Sequence, residues 1–351
     1  METARSQPNF LLASAVPANS GFHLEGYNQT EKPSSSARVV SPLPKSLLPK
    51  SLSRTMPFQF KLSQSVQANV RRIAVQQIDN AIRESGDPSL DQAVVIHQVR
   101  KRCKKLRGLI RLVGPALVNA YKVENTQLRN AARRLSSTRD AQVMLETHDR
   151  LLGLPDAAPP VTDFPSIRQQ LQSRLVATPA IDIVRGLNEF CGDMLSARSR
   201  AETWQLRAKG FHAISGGLQN THRRARKALD DALEHPSTES LHQLRKQTKY
   251  HGYHIRLLRS LWSERLAHYE QQFSRLGELL GDDHNLQTLR VTLLQSPAAF
   301  GSRNDVQAYI KLLDKRSEKL QRQALLLARR LFAEPSGAFA ERMDSYWKLS
   351  R

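Results

Sequence analysis

The chain has 351 residues, with 53 Lys and Arg against 32 Asp and Glu, a formal net charge of +21. Cys103 and Cys191 are too few for a disulfide framework or a thiolate zinc site, and no run approaches the roughly 18 apolar residues of a membrane span or the h-region of a secretory leader. What remains is a soluble, cytoplasmic, strongly basic protein, long enough for two ordinary domains, whose charge predicts a polyanionic partner before it predicts any fold.

Residues 1–55 are rich in Ser and Pro, as in Pro33-Ser34-Ser35-Ser36 and Ser41-Pro42-Leu43-Pro44, and lack helical periodicity. Such a stretch cannot bury enough apolar surface to offset its chain entropy, so it reads as a disordered tail. It is either a targeting segment or a miscalled start, with Met56 as the true one. From Phe58 the pattern is helical almost throughout. Val66, Val70, Ile73, Ile78 and Ile82 recur at helical spacing up to Gly86-Asp87-Pro88, where Asp87 can cap and Pro88 can occupy the next first turn. Further helices are expected to about Gly114, then near 116–135 and 139–152, before a Pro-rich loop from Pro155 to Pro165. The second half is expected to hold helices near 201–234, 237–262, 264–280, 283–295 and 304–332, the last ending the body. The division is thus 56–200, 201–335 and a C-terminal tail at 336–351. No alternating run is long enough for a strand, so the class is all-α.

A self-match at an offset of 145 residues carries the chemistry. His97-Gln-Val-Arg100-Lys101-Arg-Cys-Lys104 answers His242-Gln-Leu-Arg245-Lys246-Gln-Thr-Lys249, and the same register puts Arg111 on Arg256 and Asp140 on Asn285. Two equivalent helical units related by a pseudo-two-fold axis are the natural reading. In the first unit Ile96, Val99, Cys103, Leu106, Ile110 and Val113 form an apolar seam, and His97, Arg100, Lys101, Lys104, Arg107 and Arg111 form a stripe beside it. No acid lies between Gln92 and Lys122, nor between Ser240 and Ser263. A third acid-free stretch carries Arg223, Arg224, Arg226 and Lys227. Solvated helix faces usually mix signs, whereas like charges at i,i+3 and i,i+4 repel. An external anion that neutralises them is the better explanation.

At these residues the chain resembles the CHAD family, the conserved-histidine α-helical domain. The first copy matches through His97, Arg100, Lys104, Lys105 and Arg107, and the second through His242, Arg245, Lys246, Lys249 and Tyr253. Arg139-Asp140 and Leu280-Gly281-Asp282-Asp283-His284-Asn285 resemble two further family steps. Gly252, Tyr250 and Asn285 depart from the pattern, which predicts either weaker binding by the second half or a looser helix contact there. The resemblance implies two antiparallel four-helix bundles with a basic groove between them. It also implies binding of inorganic polyphosphate, often with targeting to polyphosphate granules. The Glu-x-Glu-x-Lys signature of an adjoining triphosphate tunnel domain does not occur, so the chain looks like a stand-alone copy.

Nucleic acid is the main rival partner, but single-stranded binders intersperse aromatics for base stacking, and the first stripe has none between residues 93 and 120. A metal-dependent phosphohydrolase is the rival from another class, on the spacing of His251 and His254 and on His284 beside Asp282-Asp283. Lys and Arg would repel a cation there, and the two acids read more simply as a helix N-terminal pair. No phosphate loop, nucleophile elbow or catalytic cysteine context occurs, so neither an enzyme, a cofactor nor a membrane partner is expected. Deleting residues 1–55 is expected to leave the melting temperature and polyanion affinity nearly unchanged, measured by thermal melt and titration of the truncated chain.

Overall fold

In a computed structural model, the described residues are 58–117, 119–154, 164–176 and 180–351. The Ser/Pro tail and nearly all of the Pro155–Pro165 loop lie outside them. Among the described residues there are eleven α-helices and no strand beyond an isolated bridge between Leu117 and Leu206. They are α1 Val66–Ser85, α2 Gln92–Leu112, α3 Tyr121–Arg134, α4 Ser136–Leu152, α5 Pro165–Val176, α6 Ala180–Thr203, α7 His212–Glu234, α8 Thr238–Leu257, α9 Ser263–Gln295, α10 Arg303–Leu331 and α11 Ser336–Leu349. No described helix is long and apolar enough to cross a membrane.

Helix α2 shifted by 145 residues would span 237–257, and α8 is Thr238–Leu257. The seam expected in α2 is buried, from Ile96 and Val99 through Cys103 and Leu106 to Ile110 and Val113. Both helices start on side-chain caps. Ser237 forms a capping box with Ser240, and Asp91 accepts from the Ala93 amide. Asp87 is therefore not the cap of α2. It accepts from the Ser89 amide inside the preceding turn.

Four further expectations need correction. The helices expected at 264–280 and 283–295 are one, α9, running through Gly281-Asp282-Asp283. Poor local helix formers are overridden there by packing, because Leu276 and Leu280 enter one core while Leu286, Leu289 and Leu293 enter another. Asp282 and Asp283 are consequently mid-helix, not an N-terminal pair. Asp282 accepts from Arg150 at 2.8 Å, and buried Asp283 accepts from Ser317 and Gln321 of α10. The segment 336–351 is not a tail beyond the body, since α11 buries Phe339, Met343 and Trp347 in the main core. The second half begins its first helix at His212 rather than 201, and α5 and α6 occupy the interval after the Pro-rich loop.

Helix α1 lies beside α2 and α6, with α3 beside α2 and α6 in turn. Helix α8 lies between α7 and α9, and α9 runs along α10. The core does not divide at the repeat. One apolar cluster runs from Phe58 to Trp347 through both halves. A smaller one joins α4 and α5 to the end of α9 and the start of α10. The halves meet directly where α2 packs on α7 and α8. At Gly217 of α7 an added Cβ would sit 1.9 Å from the Leu112 carbonyl oxygen, so only glycine allows this approach. Gly217→Ala is expected to destabilise the protein by about 3 kcal/mol or more. Exposed Gly192→Ala in α6, with nothing within 4 Å of the new Cβ, is expected to stabilise by about 0.5–1 kcal/mol. Urea unfolding of the two variants checks both signs.

Candidate anion-binding face

The repeated basic helices touch. α2 and α8 meet where Gly108 faces Tyr253, so closely that a Cβ on Gly108 would lie 3.0 Å from the Tyr253 Cβ. Beside this contact, His254 Nε2–H donates to the Gly108 carbonyl at 3.0 Å. The seams of both helices point into the common core, and part of each basic stripe meets the other beside this contact.

On that side Arg111 and Arg107 of α2 lie over the buried ring of Tyr250 of α8, with guanidinium carbons 4.2 and 5.8 Å from its centre. Lys246 is one turn away, its amine acidified by burial and then by Arg111 and Arg107. Further along, Lys249 and Arg245 of α8 pass over Gly277 and Gly281 of α9, at ordinary contact distance from where a Cβ would stand. Burial, then Arg245 and Lys104, push the Lys249 amine down to about 7 against the opposing pull of Glu278 and Asp282. The Arg245 and Arg107 guanidiniums also lose proton affinity through burial. His284 of α9 completes the group, its ring 4.9 Å from that of His242. Burial, then Arg245, His242, Lys249 and Lys104, bring His284 down to about 4. Burial and Arg245 lower His242 as well. Burial is the first cause of each of these shifts, and neighbouring cations add to it at Lys246, Lys249, His242 and His284.

The basic residues singled out from sequence do not all arrive here. Lys105 is 7% exposed, with its ammonium 5.4 Å from the centre of the Phe58 ring. Burial, then Arg256, Arg102 and Lys101, take it to about 8. Those neighbours are tempered by acids, since Arg102 pairs with Glu84 at 2.6 Å and Arg256 with Glu270 at 3.5 Å. Lys105 and Arg256 therefore belong to a different, ion-paired edge of the α2–α8 contact, and Lys101 stands exposed near it. Arg100 donates to the Ala132 carbonyl at 2.7 Å, at the C-terminal turn of α3, where a cation suits the dipole. Arg226 donates to the Glu334 carbonyl between α10 and α11. His97, Arg223, Arg224 and Lys227 are exposed on their helices. Arg139 is in α4, with its side chain outside the described residues.

Two features escaped sequence reasoning. His284 lies outside both stripes, and only the continuity of α9 brings it to them. His222, His251 and His254 form a buried trio: the rings of His222 and His251 are 5.1 Å apart, Phe339 stacks on His222 at 4.5 Å, and His222 Nδ1 is hydrogen-bonded to Ser336 Oγ. The i,i+3 spacing of His251 and His254 thus marks a packed core. Among the described residues no group of three or more His, Cys, Asp or Glu is arranged to hold a metal ion.

Comparison with known families gives a match to the CHAD domain over residues 72–294, which contains both basic helices. The chain belongs to the CHAD family. Among solved structures it is similar to the crystal structure of the CHAD domain from the plant Ricinus communis, with a TM-score of 0.56 and 15% sequence identity. That alignment covers 81% of this chain and 97% of the plant chain, and at this identity it shows a shared fold. No curated protein matches the chain. Within this CHAD domain, sequence register and spatial contact agree, because the α2 and α8 copies of the basic motif are neighbours.

The histidine trio makes the domain acid-sensitive. Burial holds His222 down to about 4 and His254 to about 3, with His251 also well below its ordinary 6.5. The unfolded chain therefore binds more protons than the folded one as pH falls. This stabilisation is complete above about pH 6.5 and is lost progressively toward pH 4. Unfolding free energy is expected to drop by up to about 1.4 kcal/mol per pH unit for each histidine in that window. Urea titrations from pH 7.5 to 4.5 check this, and His254→Gln is expected to flatten the slope.

Proposed function

We propose that this CHAD domain binds inorganic polyphosphate, without catalysis, on the face formed by α2, α8 and α9. The observation that carries the reading is the convergence of Lys104, Arg107, Arg111, Arg245, Lys246 and Lys249 from two helices on one side of their contact. A phosphate polymer carries about one charge per residue and offers no bases, so dense cations are what it needs. Arg supplies forked donors to phosphate oxygens, and Lys supplies point charges. The 145-residue repeat makes the two helices equivalent contributors, and a pseudo-two-fold relation between them would present similar cations to both directions of a chain. In this reading the protein is cytoplasmic and associates with polyphosphate granules. His97 and His242 are auxiliary contacts.

A nucleic-acid partner is supported by the same charge but not by the aromatic present. Tyr250 is buried and its face is covered by Arg111 and Arg107. It therefore offers no platform for a base.

The expected outcome of fluorescence titration is that long polyphosphate binds more tightly than RNA of equal charge at equal ionic strength. Log affinity should fall almost linearly with log salt. Lys104→Glu and Lys246→Glu should each weaken polyphosphate about tenfold at low salt, whereas Lys311→Glu and Lys348→Glu should change it less than twofold. Melting temperature of each variant separates lost binding from lost fold. Stronger binding of RNA, or equal effects of the two pairs, would replace this reading with generic polyanion binding.

A further inference from the structure

A second concave site lies away from the α2–α8 contact, where α4, α9 and α10 meet. It is a cleft of about 320 Å³, counted out to its open mouth. Leu151 of α4, Leu286 of α9 and Leu320 of α10, all buried, form its apolar lining. Arg150, Asp282, Asn285 and Arg316 line the same cleft. Arg150 donates to Asp282 through Nη1 at 2.8 Å, which leaves its other N–H groups without a protein acceptor. Among the described residues, half-buried Arg316 has no acid partner and the half-buried Asn285 side chain has no hydrogen bond. Thr147, also in the lining, spends its hydroxyl hydrogen on the Val143 carbonyl. The donors left for a ligand are therefore the two guanidiniums and the Asn285 amide. We propose that this cleft binds a short-chain aliphatic monocarboxylate, with its chain on the leucines and its carboxylate held by Arg316 and Asn285.

Charge sets the class of ligand. The lining holds two guanidiniums against one carboxylate, so its excess positive charge matches a single negative one, and Asp282 opposes a second. A guanidinium fork takes both oxygens of a carboxylate, and an amide adds a neutral donor beside it. The leucines require an apolar body on the same molecule, which a bare inorganic anion lacks. A cleft of this size takes an acid of about four to eight carbons. The internal repeat sharpens the case, because its register places Asp140 on Asn285. An aspartate at 285 would add a second acid and cancel the excess charge, whereas the amide preserves it. None of these cations belongs to the face formed by α2 and α8, so the proposal stands apart from the polyphosphate reading.

The test titrates the full chain with hexanoate, followed by ligand-observed NMR at pH 7.5. The expected Kd is about 1 mM, the scale open to so few atoms. Acetate, which lacks the chain, and hexylammonium, which reverses the charge, should each bind at least about tenfold more weakly. Inorganic phosphate should also bind more weakly than hexanoate. Equal or tighter binding of any of the three would overturn the proposal. Arg316→Gln should weaken hexanoate about tenfold, and Asn285→Asp, nearly the same shape, by about as much. Asn285→Ala, which removes the donor without adding charge, should cost only about threefold. Lys311→Gln, exposed on the same helix as Arg316, should stay within about twofold of the parent. Melting temperatures of the four variants separate lost binding from lost fold. Hexanoate bound as tightly by folded Arg316→Gln as by the parent would place the ligand elsewhere and overturn the site. An Asn285→Asp variant no weaker than Asn285→Ala would overturn the charge argument on which the choice of a carboxylate rests.

Discussion

Everything distinctive about this face depends on how closely α2 and α8 approach. Gly108 lets the Tyr253 side chain lie against the α2 backbone, and His254 secures the contact with a hydrogen bond to the Gly108 carbonyl. A larger residue at 108 would push the helices apart and separate Arg107 and Arg111 from Tyr250 and Lys246. Gly217 plays the same part where α7 meets the end of α2. Backbone proximity comes first, and the electrostatics follow from it.

Burying cations beside one another opposes folding, and the amines of Lys249 and Lys246, lowered first by burial and then by neighbouring cations, record that opposition. The fold tolerates it because the helices carrying these cations are anchored by a single apolar core that crosses both halves. Cations outside the face are handled differently. Arg102 and Arg256 have acidic partners, Arg100 and Arg226 take up helix-end carbonyls, and Lys105 lies over an aromatic ring. The contrast separates cations that complete the structure from those whose neighbours are mainly other cations, as around Lys249.

The histidines divide along similar lines. His242 and His284 stand beside the cations and lose proton affinity partly to them. His222 and His251 sit among the aromatic rings of the core and His254 on the Gly108 carbonyl of α2, and desolvation dominates at all three. A histidine count therefore says little about ligand contact in this domain, while the helix face on which each one lies says a good deal.

The amino-acid sequence by itself determined the all-helical class, the buried seam of α2, the 145-residue register and the two basic helices, because each is written in local periodicity. It could not show that α9 continues through Gly281-Asp282-Asp283, since two cores separated along one helix stabilise residues that are locally poor helix formers. Nor could it show that α11 belongs to the body or that Lys105 parts from its neighbours on α2. Lys104 and Arg107 go to one side of the contact and Lys105 to the other, because adjacent helical positions differ by about 100° and a neighbour packed between them sends each to a different environment. Tyr250 and His284 joined the face for the same reason. Periodicity tells which side of its own helix a residue occupies, and only the packing of helices decides what that side meets.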